Sequence, residues 1–210
     1  FIQNLTSKLP TTFVLDRSLN RNLEQLINVS TYLKHQNILV EVLVNEGCLL
    51  HCPYKINHDL LISQFSDQSI AFSVYTHSIQ PSIDIYNANT TLGCLKDFKN
   101  NPSEIIKSPF IRPEDIKYLD EYVDIIKISG KVKTPQFVYN VYNAYKSRTY
   151  NENLLSLLDT TQIFEQDLYI SNNLFPKDFF FVTSTCQKNC WECKYCEQIF
   201  EKVHFGQIRS

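Results

Sequence analysis

The chain contains no methionine, and no apolar run in it approaches the ~20 residues that a membrane-spanning helix needs. With Phe at position 1 and Met nowhere, it reads as a processed product or as a fragment whose N-terminal part is missing. No charged leader precedes an apolar stretch, so no targeting segment is expected and the protein is read as soluble and cytoplasmic. An excess of either charge is also lacking: 20 basic residues stand against 22 acidic ones, so charge names no partner. There is no G-x-G-x-x-G, no Walker loop and no H-E-x-x-H, and the nucleotide-binding and zinc-protease readings lose their main support. No internal repeat or low-complexity segment is evident.

What is present suffices for one domain, or for one domain with a small appendix, because 43% of the 210 residues are hydrophobic. Residues 11–17 read as a short buried strand ending in the charged pair Asp16-Arg17, and Leu23, Leu26, Ile27 and Leu33 follow at helical spacing. A second apolar run, ILVEVLV at 38–44, leads directly into NEGCLLHCPY, a loop by its Gly, Pro and Cys content. A short helix over 58–65, a strand over 69–77 and a loop-rich stretch from Ser82 to Asn101 are expected next. Arg112-Pro113-Glu114-Asp115 marks a helix start, VDIIKISG at 123–130 a buried strand, and Thr134-Pro135 a helix with Phe137, Val138, Val141, Tyr142 and Tyr145 on one face. Strands alternating with helices predict parallel β/α units, in a barrel or an open sheet. Past about Tyr150 the strands stop: residues 151–210 read as an extension with a short helix at NENLLSLLD, an aromatic stretch at FPKDFFFVTS and a cysteine-rich tail.

Cysteine carries the strongest local signal. Of seven, Cys186, Cys190, Cys193 and Cys196 fall within eleven residues as C-x3-C-x2-C-x2-C, which fits metal ligation in a reducing compartment better than a disulfide framework. Zinc usually takes two cysteine pairs separated by a longer span, whereas dense runs of this kind hold iron-sulfur clusters in bacterial-type ferredoxins. Iron-sulfur is therefore the first reading of the tail and zinc the alternative. The first three cysteines also match the spacing of radical S-adenosylmethionine enzymes, but only 14 residues follow Cys196, where those enzymes continue with the rest of their barrel, and Glu192 stands where they carry an aromatic residue.

Cys48 and Cys52 form a second group, placed where a buried strand ends and where β/α barrels build their sites. Arg17, Glu46, His58, Lys127 and Lys131 are the polar residues near strand ends that could take a catalytic part. A charge there needs either a partner or a solvated cavity. His51 reads as a loop residue.

VDIIKISGKVKTPQFVYNVYNAY at 123–145, FIRPEDIKYL at 110–119, VEVLVNEGC at 40–48 and LDRSLN at 15–20 together resemble the collagenase-like U-type peptidases of unassigned catalytic mechanism. That family also includes oxygen-independent ubiquinone-biosynthesis hydroxylases and RNA hydroxylation proteins. The likeness covers residues 11–148 and implies the C-terminal part of a TIM-like parallel β/α barrel over 1–150. It implies a 4Fe-4S cluster with Cys48, Cys52 and Cys94 as counterparts of three ligands, making one or two clusters with the tail. It further implies a small-molecule or RNA substrate and a possible partner subunit of the same family. An oxygen-independent hydroxylase or related redox enzyme is the leading expectation. A peptidase is the second, and a non-enzymatic iron-sulfur or zinc-binding partner or maturation protein the third.

Overall fold

Three parallel strands organise the first part of the computed structural model, which describes residues 11–56, 58, 93–130 and 133–208. β1 (Thr11–Val14), β2 (Ile38–Leu43) and β3 (Ile125–Lys127) lie in the order β1-β2-β3, with Phe13 opposite Val40 and Val42 opposite Ile126. In β2 the alternation of a strand sends Ile38, Val40 and Val42 into the core while Leu39 remains 38% exposed. Each such buried side chain contributes ~1.5–3 kcal/mol.

Between β1 and β2 come a 3-10 turn (Arg17–Arg21) and helix α1 (Leu23–His35). Asp16 caps the turn by accepting the Ser18 N–H, and Asn22 caps the helix by accepting that of Gln25. Leu26 and Leu33 are wholly buried on the inner face of α1. α2 (Cys94–Asn100) and α3 (Glu104–Lys107) precede a 3-10 helix (Pro113–Leu119), then β3, then α4 (Pro135–Ser147). Thr134 Oγ1 caps α4 through the Phe137 N–H, as the Thr-Pro start predicts. Phe137, Val141, Ala144 and Tyr145 form its buried face, whereas Val138 and Tyr142 lie at its exposed side. The Tyr145 hydroxyl donates to the Ile111 carbonyl at 2.8 Å, tying α4 to the segment that continues the sheet through Ile111 N–H to Val44 O.

Two stretches read as irregular are ordered. The segment around Cys94 is helical over Cys94–Asn100 because Cys94, Leu95 and Phe98 bury one face; its N-cap, Gly93, offers no side chain to announce it. FFFVTST forms α5 (Phe179–Thr185), seated against α1. Strands also continue past Tyr150: β4 (Leu168–Ile170) pairs antiparallel with β5 (His204–Gly206). α6 (Cys190–Cys193) and α7 (Tyr195–Val203) complete the tail, α7 packing on α3. Leu168, Ile170, Phe179, Ile199 and Val203 join the same core cluster as Val40 and Leu26.

Among the described residues the parallel strands number three and close no barrel. No described helix is long and apolar enough to cross a membrane. The helix expected over 58–65 beyond His58 itself and the strand expected over 69–77 lie outside the described residues, as does Lys131.

Candidate functional site

Two regions gather the chemistry-bearing residues. The first is the carboxyl edge of the parallel sheet, where the chain leaves β1 at Asp16-Arg17, β2 at Asn45-Glu46-Gly47-Cys48 and β3 at Ser129-Gly130. Because the strands are parallel, these three exits share one edge. Arg17 Nη1 donates to Glu46 Oε2 at 2.5 Å, and the two side chains are 13% and 11% exposed. Glu46 Oε1 accepts the Cys48 N–H at 3.1 Å, and Cys48 Sγ lies 3.2 Å from Thr160 Oγ1. Burial pulls the Arg17 guanidinium down, but the adjacent Glu46 carboxylate and the Cys48 sulfur together outweigh it and hold it above its ordinary value. Burial, with the Glu46 charge adding to it, pushes the Cys48 thiol up to about 12. A thiol so placed keeps its proton and is a poor free nucleophile at neutral pH.

Asn45 braces this edge. Its amide donates to Ser129 O at 3.0 Å and Leu157 O at 3.1 Å, and its Oδ1 accepts the Ser129 N–H at 2.6 Å. Ser129 Oγ donates to Asp159, and Lys133 lies 3.9 Å from the same carboxylate. Two glycines permit the close approach. A Cβ at Gly47 would meet Thr161 Oγ1 at 2.9 Å, and one at Gly130, whose φ is +136°, would meet Phe137 Cε1 at 2.7 Å.

The remaining candidates sit apart. Lys127 pairs with Glu41 at 2.9 Å across β2 and β3, its side chain 47% exposed. His58 lies in a helical turn, its N–H bonded to Tyr54 O at 2.9 Å, and His51 is exposed in a left-handed conformation. Cys94 is 2% exposed, and burial together with the nearby Cys52 sulfur pushes its thiol up to about 11. Tyr54, hydrogen-bonded to Asp97, adjoins the same two sulfurs and is raised by that carboxylate. Cys52 and Cys94 therefore neighbour each other, whereas the groups that act on Cys48 are Glu46, Thr160 and Arg17.

The second region is the tail. Cys186 ends α5, Cys190 and Cys193 bound α6, Lys194 turns the chain in the left-handed conformation, and Cys196 lies in the first turn of α7. All four cysteines line one cavity of about 210 Å³, together with Lys107, Thr183, Asn189 and Tyr195. Two buried polar atoms in that wall, Asn189 Oδ1 and the Tyr195 hydroxyl, have no hydrogen-bond partner. Burial pushes the Cys196 thiol up to about 11, with Arg21 and Lys107 pulling the other way. A tetrahedral zinc site needs its sulfurs ~2.3 Å from one point. Among the described residues no three Cys, His, Asp or Glu side chains converge in that manner, in the tail or around Cys48, Cys52 and Cys94. The four tail cysteines border one space without converging on a single point.

Sequence reasoning did not find Arg21, Thr160 or Asp159. Their roles come from contacts across the fold, and the only local signal is the recurrence of Arg at positions 17 and 21.

No family model matches the chain, and no solved structure matches it. Among curated proteins it is similar to one from Methanocaldococcus jannaschii, 34% identical over 189 residues. The alignment takes in 90% of this chain and 52% of that protein, so the chain spans about half the length of the curated relative it matches. Over most of its own length, the chain is thus similar to a protein that bears the name uncharacterized protease.

Proposed function

We propose that this chain is part of an iron-sulfur enzyme of the collagenase-like U-type peptidase family, with Cys186, Cys190, Cys193 and Cys196 holding a 4Fe-4S centre. The observation that carries the reading is the single cavity of about 210 Å³ that all four tail cysteines line, with two buried polar atoms left unpaired in its wall. Cys52 and Cys94 supply the neighbouring thiols of a second centre near the sheet edge. The parallel order β1-β2-β3, with Leu39 and the Lys127–Glu41 pair on a face left partly open, suits a barrel segment whose other face is covered by further chain. Bound, the cluster supplies one-electron chemistry. The chain's own residues then bind and orient the substrate at the carboxyl edge, where Arg17, Glu46 and Lys133 present charge beside Ser129 and Thr160. The reaction is an oxygen-independent hydroxylation or related redox step on a small molecule or an RNA, with an organic co-substrate supplying the oxygen atom and the two-electron oxidant.

Anaerobic reconstitution with ferrous iron and sulfide tests this reading. A brown protein with matched iron and sulfide supports it, and a colourless protein carrying stoichiometric zinc sinks it.

The relative's name favours a second reading, a peptidase. Incubating the reconstituted protein with denatured collagen separates the two. Hydrolysis that persists after the cluster is removed selects the peptidase.

A further inference from the structure

Behind the tail cavity stands a buried cation that no described acid neutralises. Arg21 ends the 3-10 turn after β1 and is 2% exposed. Its guanidinium lies 4.9 Å from the ring centroid of Phe110 and 5.3 Å from that of Phe179. Nε donates to Ser108 O at 2.9 Å, Nη2 to Ile106 O at 3.1 Å and to Ser108 O, and Nη1 to Thr183 Oγ1. Every one of these acceptors is neutral. Among the described residues no carboxylate lies within ion-pair distance of Arg21, and Asp115 is engaged by both ends of the Arg112 fork.

A guanidinium withdrawn from water is costly unless an anion faces it. One of Arg21's hydrogen-bond partners borders the tail cavity. Thr183, which receives Nη1, lines the tail cavity, and the Cys186 thiol donates to the Thr183 carbonyl at 3.4 Å. Burial pulls Arg21 down to about 10, which leaves it charged at neutral pH, and the groups that favour its charge most are Cys196 and then Cys186, ahead of Asp115. Lys107, Lys188 and Lys194 also line the cavity; Lys107 has Glu104 at 2.7 Å, and Lys194 has Glu197 at 3.2 Å. With protonated thiols the region carries an unmatched positive charge. With thiolates bound to a metal centre it does not.

We propose that Arg21 is the fixed counter-charge of the centre held by Cys186, Cys190, Cys193 and Cys196, a positioning residue that favours its more negative state. This rests on the reading that those cysteines hold an iron-sulfur cluster. Four thiolates make such a centre an anion, and one-electron reduction adds a further negative charge, so a nearby buried cation raises the reduction potential.

The test uses the full chain carrying Cys52→Ser and Cys94→Ala, so that the tail centre alone is read. After anaerobic reconstitution, iron and sulfide per chain are measured first. The midpoint potential is then measured by mediated titration with dithionite in the parent, Arg21→Met and Arg21→Lys. Arg21→Met is expected to load the same iron and to shift to a lower potential, while Arg21→Lys stays near the parent. Equal potentials at equal iron content overturn the role of Arg21 and leave the cluster reading standing. A parent chain that binds no iron and sulfide overturns the cluster reading, and Arg21's role with it. Should Arg21→Met fail to fold, Arg21→Gln carries the same comparison, since it removes the charge and keeps a donor for the Ser108 carbonyl.

Discussion

The carboxyl edge of the sheet and the tail cavity differ in how completely their polar groups satisfy one another. At the edge, Arg17 has Glu46, Glu46 has the Cys48 N–H, Asn45 has Ser129 and Leu157, and Ser129 and Lys133 share Asp159. In the tail, four cysteines and two residues with unpaired polar atoms line a cavity, and the buried Arg21 donates to Thr183 in its wall. Buried polar groups are normally paired, so a set that pairs internally holds the fold, and an unpaired group has water, an ion or a bound group as its candidate partner. Among the described residues the edge leaves Thr161 Oγ1 without a partner, and the wall of the tail cavity leaves Asn189 Oδ1 and the Tyr195 hydroxyl.

The largest effect that can break this contrast is loss of metal. Cys196→Ser and Cys190→Ser are each expected to remove one full centre's iron and sulfide from the reconstituted chain, with little change in the unfolding midpoint of the metal-free form. Glu46→Gln should leave the iron and sulfide unchanged. Equal iron in all three variants would show that the tail cavity is not the binding site.

The next effect belongs to the edge. Asn45 is fully buried, and both ends of its amide join the exit of β2 to Ser129 and to Leu157. Asn45→Ala strands the Ser129 N–H and two carbonyls, at a cost of about 2–4 kcal/mol. Denaturant unfolding of the metal-free chain measures it. A loss under ~0.5 kcal/mol would mean that the edge is not held by its internal pairing.

How far the sequence revealed each region follows from the range of the contacts that make it. β1, β2, α1 and α4 are legible because periodicity and caps such as Thr134-Pro135 are local. The tail motif is legible because its four ligand candidates are adjacent in the chain. α2 was hidden because Gly93 gives no capping signal amid Asn-rich sequence, and α5 because FFFVTST has an apolar run in place of a helical stripe. β4 and β5 span three residues each, too short for alternation to register. Arg21 was out of reach for another reason: its partners Ser108 and Thr183 are 87 and 162 residues away. Nothing in RSLNR separates a buried arginine from a surface one.

Thiol chemistry sharpens the contrast at smaller scale. Cys48 is held protonated by burial and by Glu46, with its pKa pushed up to about 12, whereas Cys193 is exposed. In the metal-free chain at pH 8, iodoacetamide should modify Cys193 first and Cys48 roughly a hundredfold more slowly. Mass mapping of the alkylated peptides gives the order. Reconstitution should protect Cys193 and leave the slow rate at Cys48 set by its own surroundings.

The smallest effect concerns the turn that carries both Arg17 and Arg21. Asp16 accepts the Ser18 N–H at 2.8 Å and the Ser18 hydroxyl at 2.6 Å, and these bonds hold its carboxyl below the ordinary value. A folded pKa below the unfolded one, ~3.9, means that the contribution is fully present above that value and is lost as pH falls through the folded pKa. Asp16→Ala should therefore cost about 0.5–2 kcal/mol at pH 7, the range for loss of such a cap, and almost nothing near pH 2. Paired denaturant titrations of the parent and variant at the two pH values measure the difference. A gap that persists at low pH would mean that the side chain acts through packing and not through its charge. The cap also links the two regions, because it fixes the turn whose first residue pairs with Glu46 at the sheet edge and whose last donates to Thr183 in the wall of the tail cavity. Loosening it should lower the tail centre's reduction potential slightly, in the same direction as Arg21→Met and by less, through a displaced Arg21 whose charge is intact.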